Sequence, residues 1–244
     1  MPSVIIIGGA RRIGAAMART FAQRGYDVGI TYRTSEREAA DTLGICRSHG
    51  VRAAKQQCDV SDATALASAF SALVDAHGVP DVVIVNAGIF PGPTPIDDLD
   101  VDAIRHAIDV NTLPLVTLAK AYREKLTASG GTGRLISMSS LGAVEIWRDR
   151  LAYNVSKSAL VTAVRSLARS AAPQLSVNTV APGAILISEE PNGHERAMTA
   201  TERIPMGRYG TSDDVMDAVW FFATCSPYIT GQFIAVDGGY HLHR

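Results

Sequence analysis

Tyr153 and Lys157 are the first residues of this chain whose types and spacing point to chemistry. They stand four apart in the stretch YNVSK, which is predicted to be helical, so both side chains lie on one face of that helix. A free tyrosine has a pKa of about 10, and a neighbouring cation favours its phenolate and lowers that pKa. The pair could therefore move a proton near neutral pH. Pairs at this spacing are also common on surface helices, so the pair alone does not identify a site.

A second chemical feature is the stretch IIIGGARRIGAAMA, Ile5 to Ala18, which is predicted to run from a strand through a glycine turn into a helix. Gly8 and Gly9 allow a sharp turn, and Gly14 lets the helix pack closely against the sheet. The amides at the start of such a helix face a phosphate. Glycine turns also join strands and helices for structural reasons alone, but this context favours dinucleotide binding.

The elements that must position these residues alternate along the whole chain. Predicted strands cover 3–7, 27–32, 51–60, 81–88, 133–140, 175–183 and 231–239. Predicted helices cover 13–25, 35–50, 62–78 (capped by Ser61 or Asp62), about 100–128, 152–172 and 212–225. Short apolar strands separated by helices predict a parallel sheet covered on both faces. Without a linker or a change of composition, residues 1–244 are predicted to form one α/β domain, a doubly wound Rossmann fold.

One long segment, residues 184–210, does not fit this alternation. It contains polar residues, two prolines and three glycines, and it leaves the carboxyl end of a strand, where doubly wound folds bind ligands. We therefore predict a substrate-binding loop there. Within it, residues 188–206 are expected to be mobile without ligand and to order over bound cofactor and substrate, because they hold few large apolar groups.

The composition excludes several classes of protein. The formal net charge of −1 gives no basic footprint for nucleic acid. The three cysteines, Cys46, Cys58 and Cys225, are odd in number and far apart, so neither a disulfide framework nor a metal site is predicted. No apolar run is long enough to span a membrane, and the first one is too short for a signal peptide. A cytoplasmic protein is expected.

Several motifs together resemble the short-chain dehydrogenase/reductase family. The spacing of Gly8, Arg12 and Gly14 is similar to that family's TGxxxGxG turn. Other family markers follow in family order: Asp59 in CDV, Asn86 to Gly88 in NAG, Asn111, Ser140 thirteen residues before Tyr153, Lys157, Pro182–Gly183 and the VDGG near the end. The resemblance covers essentially all 244 residues.

This resemblance implies a role for each matching residue. Tyr153 would be the general acid or base, Lys157 would support its phenolate, and Ser140, rather than its neighbour Ser139, would hold the substrate oxygen. Asn111 would hold a water that links Lys157 to solvent. The implied cofactor-binding residues are Gly8, Arg11, Arg12, Ile13, Gly14, Arg33, Thr34, Ser35, Asp59, Val60, Asn86, Ala87, Gly88, Tyr153, Lys157, Pro182, Gly183 and Ile185.

The choice of nicotinamide cofactor can be predicted from the end of the second strand. Dinucleotide folds that prefer NAD place an acid there, on the ribose 2′-hydroxyl. Here the stretch TYRTS carries no acid, and Arg33 can pair with a 2′-phosphate while Thr34 and Ser35 donate hydrogen bonds. The predicted cofactor is therefore NADP(H).

Two residues depart from the family turn. Ile7 replaces a threonine whose hydroxyl steadies it, and Arg12 replaces its middle glycine, as in pteridine reductases, which have a basic residue there. An arginine adds a fork of donors beside the phosphates. The alternative, that Arg11 and Arg12 are solvated residues at a helix start, is weaker because cations are disfavoured there without an anion.

The substrate class stays open at this point, between a small-molecule carbonyl or alcohol, a pterin and an acyl thioester on a carrier protein. Pteridine reductases usually carry aspartate at the Ser140 position. A carrier would need a basic patch, for which Arg123, Lys125, Arg165 and Arg169 are candidates, although such charges are more often solvated. Trp147 could stack on a flat substrate or simply pack under the loop.

A cofactor-binding protein without catalysis would be expected to have lost one of Ser140, Tyr153 and Lys157.

The family resemblance also implies assembly. Family members are mostly tetramers built through helices matching about 100–128 and 152–172 and through the C-terminal strand. Helix 152–172 is apolar on more than one side, which leaves a face for a partner. A homotetramer is predicted.

Overall fold

A parallel sheet forms the centre of the molecule, whose computed structural model describes residues 1–187 and 200–242. The strands of these residues are β1 (Ser3–Ile7), β2 (Asp27–Tyr32), β3 (Ala53–Gln57), β4 (Val82–Val85), β5 (Gly133–Met138), β6 (Leu175–Pro182) and β7 (Phe233–Val236). They lie in the order β3-β2-β1-β4-β5-β6-β7, and every adjacent pair is parallel. The strand order reverses between β1 and β4, where open α/β sheets leave a crevice. The predicted fold class is confirmed.

Helices cover both faces of this sheet. In the described residues they are α1 (Arg12–Gln23), α2 (Glu36–Ser48), α3 (Ala63–His77), α4 (Val101–Asn111), α5 (Leu113–Ser129), α6 (Leu151–Ser170) and α7 (Ser212–Thr224). α1, α2 and α7 pack on one face, and α3, α5 and α6 pack on the other. Strand β1 shows why: Val4 and Ile6 point into the first layer, whereas Ile5 and Ile7 point into the second.

The region predicted to be helical over about 100–128 is confirmed, but it consists of two helices that meet at Thr112. The Thr112 hydroxyl donates to the Ser156 carbonyl oxygen at 2.8 Å, which ties the break to α6. Pro114 lies in the first turn of α5, where its missing N–H costs no helical hydrogen bond. The break therefore satisfies both a tertiary contact and the local sequence.

Two smaller details complete the comparison. Asp62, not Ser61, caps α3, since its Oδ1 accepts from the amides of Thr64 and Ala65 at 2.9 and 3.0 Å. The strand predicted over 51–60 is shorter and ends at Gln57, so the residues after it turn away from the sheet at the carboxyl edge.

The predicted substrate-binding loop is anchored at both ends. Ile185 forms an isolated parallel bridge with Gly210, and Ile204 is only 3% exposed. The prediction that residues 188–206 hold too few apolar groups to anchor themselves is therefore wrong for the part from residue 200 onward. Residues 188–199 lie outside the described residues.

Candidate functional site

An open cleft of 660 Å³ lies at the carboxyl ends of the strands, beside the point where strand order reverses. Nearly all residues predicted for the site line it: Gly8, Arg11, Arg12, Ile13, Arg33, Thr34, Ser35, Asp59, Val60, Asn86, Ala87, Gly88, Ser140, Tyr153, Lys157, Pro182, Gly183 and Ile185. Gly14 and Asn111 do not line it. Segments far apart in sequence thus contribute to one concave surface, as ligand sites in this fold class require.

The glycine turn between β1 and α1 forms one end of the cleft. Gly8 has φ +80°, and a Cβ on it would lie 2.9 Å from the backbone of Ala87. A Cβ on Gly14 would lie 2.1 Å from the carbonyl oxygen of Gly8. Gly14 therefore serves close packing of α1 under the turn, which explains why it does not reach the cleft.

The hydroxyl that Ile7 cannot supply comes from the neighbouring strand. Thr31, near the end of β2, accepts a hydrogen bond from the Gly8 amide through its Oγ1 at 3.0 Å. Asn86 adds a second restraint, because its Nδ2 donates to the Gly8 carbonyl oxygen at 2.8 Å. Sequence analysis did not identify Thr31; its only signal was its place at the carboxyl edge of the sheet.

The start of α1 fits an anion. Arg11 is the N-cap residue in extended conformation, its side chain makes no capping hydrogen bond, and the first turn holds no acidic residue. Amides at such an end suit a phosphate. Arg12 follows with φ +56°, in the left-handed region, at the position where the family turn carries glycine. Both arginines line the cleft.

The residues predicted to select the cofactor sit after β2. Arg33 lies 3.7 Å from the carboxylate of Asp59, and its carbonyl oxygen accepts from Gln57 Nε2 at 2.8 Å. Hydrogen bonds from the amide and hydroxyl of Ser61 lower the pKa of Asp59, and the charge of Arg33 adds to this. Asp59 thus holds the Arg33 guanidinium at the cleft, where its exposed side chain can also meet a ligand.

Ser140, Tyr153 and Lys157 meet at the other end of the cleft. Each is under 10% exposed. Ser140 follows β5, while Tyr153 and Lys157 lie one turn apart on α6, with Lys157 Nζ 5.9 Å from the centre of the tyrosine ring. Lys157 Nζ donates to the Met138 carbonyl oxygen at 2.9 Å, which fixes the amine beneath the cleft.

The pKa of Tyr153 is raised and the pKa of Lys157 is lowered. Burial raises the pKa of Tyr153, and a hydrogen bond with Ser140 and the charge of Arg150 oppose that rise without cancelling it. Without cofactor, the pKa of Tyr153 therefore lies above its ordinary value. The expectation that Lys157 and an oxidised nicotinamide ring together favour the phenolate stays a prediction. Burial also lowers the pKa of Lys157 to about 8, because its charged form is desolvated.

Asn111 does not line the cleft but lies near Lys157, since a Cβ on Gly88 would be 3.0 Å from Asn111 Oδ1 and 3.6 Å from Lys157 Nζ. The water-holding role that the resemblance implies stays a prediction. Asn111 is the last residue of α4, its Oδ1 accepts from the Ile89 amide at 2.8 Å, and its Nδ2 donates to Ser156 Oγ at 3.0 Å. These bonds join the loop after β4 to α6. Asn111 therefore supports the wall of the cleft from behind.

Two aromatic rings and an arginine lie around Tyr153. The Phe90 ring meets the Tyr153 ring edge-on at 4.5 Å between centroids, and the Trp147 ring lies parallel to Tyr153 at 5.9 Å. Arg150, the N-cap residue of α6, places its guanidinium carbon 4.3 Å from the centre of the Phe90 ring. Sequence analysis considered Trp147 but missed Phe90 and Arg150, which nothing in the local pattern distinguishes.

The structure adds further cleft residues that the sequence did not single out. Most are neighbours of predicted ones: Ala10, Thr31, Tyr32, Cys58, Ile89, Phe90, Val110, Met138, Ser139 and Ile187. Ser139 and Ser140 both line the cleft, but only Ser140 interacts with Tyr153 closely enough to lower its pKa. Within residues 1–187 and 200–242, no group of three His, Cys, Asp or Glu side chains is placed to hold a metal ion. No helix in the same ranges has the length and apolarity to cross a membrane.

Comparison with known proteins gives a consistent result. A family model described as enoyl-(acyl-carrier-protein) reductase matches residues 8–241. The chain is 32% identical to 3beta-hydroxysteroid dehydrogenase 1 of Eggerthella lenta, covering 99% of this chain and 94% of that one. It is also 32% identical to cis-4-hydroxycyclohexanecarboxylate dehydrogenase of Sinomonas cyclohexanicum, covering 97% and 95%. A short chain dehydrogenase from Burkholderia cenocepacia, solved in complex with NADP, superposes with a TM-score of 0.89 at 32% identity, covering 98% of each chain.

Proposed function

The chain belongs to the short-chain dehydrogenase/reductase family of oxidoreductases, and from that premise we propose that it transfers a hydride between NADP(H) and a ketone or its alcohol. The observation that carries this proposal is that Ser140, Tyr153 and Lys157, all buried, line the same cleft as the glycine turn between β1 and α1. That turn is of the kind that binds a phosphate. Convergence of a proton donor, its hydrogen-bond partner and a cation is what carbonyl reduction needs.

The cleft fits a dinucleotide on structural grounds. The uncapped start of α1 suits the pyrophosphate, and Gly8 brings the backbone turn close enough that a side chain there would clash with Ala87. Asn86, Gly183 and Ile185 line the same cleft as that turn and Tyr153. The bound nicotinamide would supply or accept the hydride, which is chemistry that the side chains cannot perform.

The side chains would handle the proton. In the reductive direction the Tyr153 O–H bond breaks, its proton goes to the substrate oxygen and a phenolate remains. Ser140 would hold that oxygen, since it lines the cleft beside Tyr153 and acts to lower the tyrosine pKa. Lys157, fixed by the Met138 carbonyl oxygen, would place positive charge beneath the phenolate. An oxidised nicotinamide ring would add a further positive charge and favour the phenolate more.

A preference for NADP(H) is supported by charge. Arg11, Arg12 and Arg33 all line the cleft, and β2 is followed by Arg33 rather than an acid. Asp59 lies against Arg33 and offsets part of its charge, so Thr34 and Ser35 would have to share in binding a 2′-phosphate. The NADP complex of the Burkholderia cenocepacia relative is consistent with this preference.

The apolar lining beside Tyr153 favours a ring-bearing substrate. Phe90, Ile185 and Ile187 line the cleft. Aromatic and branched aliphatic walls suit an apolar body, with the reacting oxygen turned toward Ser140 and Tyr153. The names of two relatives specify a hydroxysteroid and a hydroxycyclohexanecarboxylate, each with a hydroxyl on a ring. We therefore propose a cyclic ketone or secondary alcohol as the substrate class.

Turnover of NADPH with a panel of carbonyl compounds tests the function. The panel holds cyclohexanone, 4-oxocyclohexanecarboxylate, a 3-ketosteroid, a pterin and an acetoacetyl thioester. We expect a cyclic ketone to be reduced, Tyr153→Phe to bind NADPH normally but keep no more than a few per cent of that turnover, and Tyr228→Phe to behave like the parent, because Tyr228 is 96% exposed. Turnover of the pterin alone would favour an activity like that of pteridine reductases, which also have a basic residue at the position of Arg12. NADPH binding without any turnover would favour a non-catalytic binding protein.

We also propose a homotetramer. Apolar side chains remain exposed along the outer faces of α5 and α6: Leu113 at 46%, Val116 at 43%, Leu151 at 43% and Val155 at 37%. Several exposed apolar side chains on neighbouring helices favour a partner surface. The family resemblance suggests that the partner is a second copy of the chain.

A further inference from the structure

Arg150 is held in a fixed position at the start of α6, three residues before Tyr153. Its guanidinium lies on the face of the Phe90 ring, 4.3 Å from the ring centre, and its Nη1 donates to the Pro91 carbonyl oxygen. Both contacts join α6 to the loop after β4. A cation on a ring face is favourable and directional, so the charge has a defined location.

Within the part of the chain that the structure describes, this charge has no carboxylate partner. Among the described residues, no acidic group lies within ion-pair distance of Arg150, and the two nearest in sequence are otherwise engaged. Glu145 accepts from Trp147 Nε1 at 3.1 Å, and the Asp149 carboxylate lies 3.6 Å from Arg148. A partly buried cation bonded only to neutral groups interacts most favourably with a negative charge that appears nearby.

That negative charge can appear at Tyr153. The Phe90 ring, which lies against the guanidinium, meets the Tyr153 ring nearly perpendicular at 4.5 Å between centroids, and Tyr153 itself is only 8% exposed. Charges interact more strongly where water is excluded. Apart from Arg150, the charged group facing Tyr153 in the described residues is Lys157, on the same helix; the segment after β5 contributes the neutral Ser140.

We propose that Arg150 is a positioning residue for Tyr153: its guanidinium, anchored on Phe90 and Pro91, supplies a second positive charge that favours the phenolate when the proton leaves. The inference rests on the proposed function. Arg150 stays protonated throughout and does not line the cleft, so it acts through Tyr153 rather than on the substrate. The Tyr153 O–H bond breaks, the proton goes to the substrate oxygen, and the phenolate charge is shared between the fields of Arg150 and Lys157.

The test titrates Tyr153 directly and needs no substrate. The full chain is labelled with ¹³C at the tyrosine ring carbon Cζ, and its NMR signals are followed against pH, without and with NADP⁺. The Tyr153→Phe variant identifies the signal. We expect Arg150→Met to raise the titration midpoint of Tyr153 by about one unit, since an opposite charge at close range shifts a pKa by that amount or more. Arg150→Lys should restore part of the shift.

Arg148→Met is the matched control, because the Arg148 side chain is 95% exposed and its charge is screened by solvent. We expect no shift in that variant. An unchanged Tyr153 midpoint in Arg150→Met would overturn the inference and leave Arg150 a purely structural clamp. Equal shifts in both variants would also overturn it, since net charge alone would then explain them. Should Arg150→Met fail to fold, Arg150→Gln gives the same comparison. A shifted midpoint in a protein that reduces none of the panel ketones would uphold the role of Arg150 and contradict the proposed function.

Discussion

Replacing Arg12 by glycine separates the backbone role of this position from its side-chain role. Arg12 has φ +56°, in the left-handed region where the family turn places glycine. Holding a non-glycine residue there costs about 1–2 kcal/mol. Glycine removes that strain, but it lowers the free energy of unfolding by about 0.5–1 kcal/mol relative to alanine, because the unfolded chain has more conformational freedom at a glycine. Arg12→Gly should therefore be about 0.5–1 kcal/mol more stable than Arg12→Ala.

The alanine variant is the necessary comparison, because it removes the same side-chain contacts but keeps a Cβ at positive φ. For a chain of this length, the expected difference in Tm between the two variants is about 1–4 °C. Thermal unfolding of both variants and the parent, without ligand, measures it. A glycine variant no more stable than the alanine variant would refute the claim that the turn is strained at Arg12.

Cofactor binding provides the second half of this test. If the Arg12 side chain serves the pyrophosphate, both variants should bind NADPH more weakly than the parent and by similar factors, despite their different stabilities. A higher KM for an anionic or pterin-like substrate would show that Arg12 also reaches the substrate. Parental affinity in both variants would mean that the side chain is only a solvated residue at the start of α1.

Three further expectations follow from charge and exposure. NADPH should bind at least about tenfold more tightly than NADH, which is a difference of about 1.4 kcal/mol in binding free energy. Arg33→Asp should shift the preference toward NADH. Equal affinities of the parent protein for the two cofactors in a titration would contradict this. Burial raises the pKa of Asp27, but hydrogen bonds and charge from Arg52 outweigh it and hold that pKa below its ordinary value. The stability that this lowered pKa contributes is present above the unfolded-state pKa of about 3.9 and is lost as pH falls through the folded-state pKa. Arg52→Met should therefore make the free energy of unfolding, measured in urea, depend less on pH in the acid range. Parallel plots of that free energy against pH for the parent and the variant would contradict this. Light scattering at micromolar concentration should give the mass of four chains, and a monomer would exclude the tetramer.

The order of elements and most of the cleft were determined by the sequence itself. Strands β1 and β2 lie where predicted, because continuous apolar runs of five or six residues between glycine and polar turns can only be buried strands in this context. Loops at the carboxyl ends of parallel strands share one edge of the sheet, so residues following those strands had to meet. The resemblance to the short-chain dehydrogenase/reductase family, rather than short-range pattern, predicted that Ser140 and Tyr153 share one cleft.

What only the tertiary structure decided depends on contacts between distant segments. Thr31 takes the place of the hydroxyl missing at Ile7 because β2 pairs beside β1, and no local signal shows which neighbouring strand will supply such a group. Phe90 and Arg150 meet only because the loop after β4 folds against the start of α6. The pKa of Tyr153 rises because the tyrosine is buried, and burial depends on how every surrounding element packs.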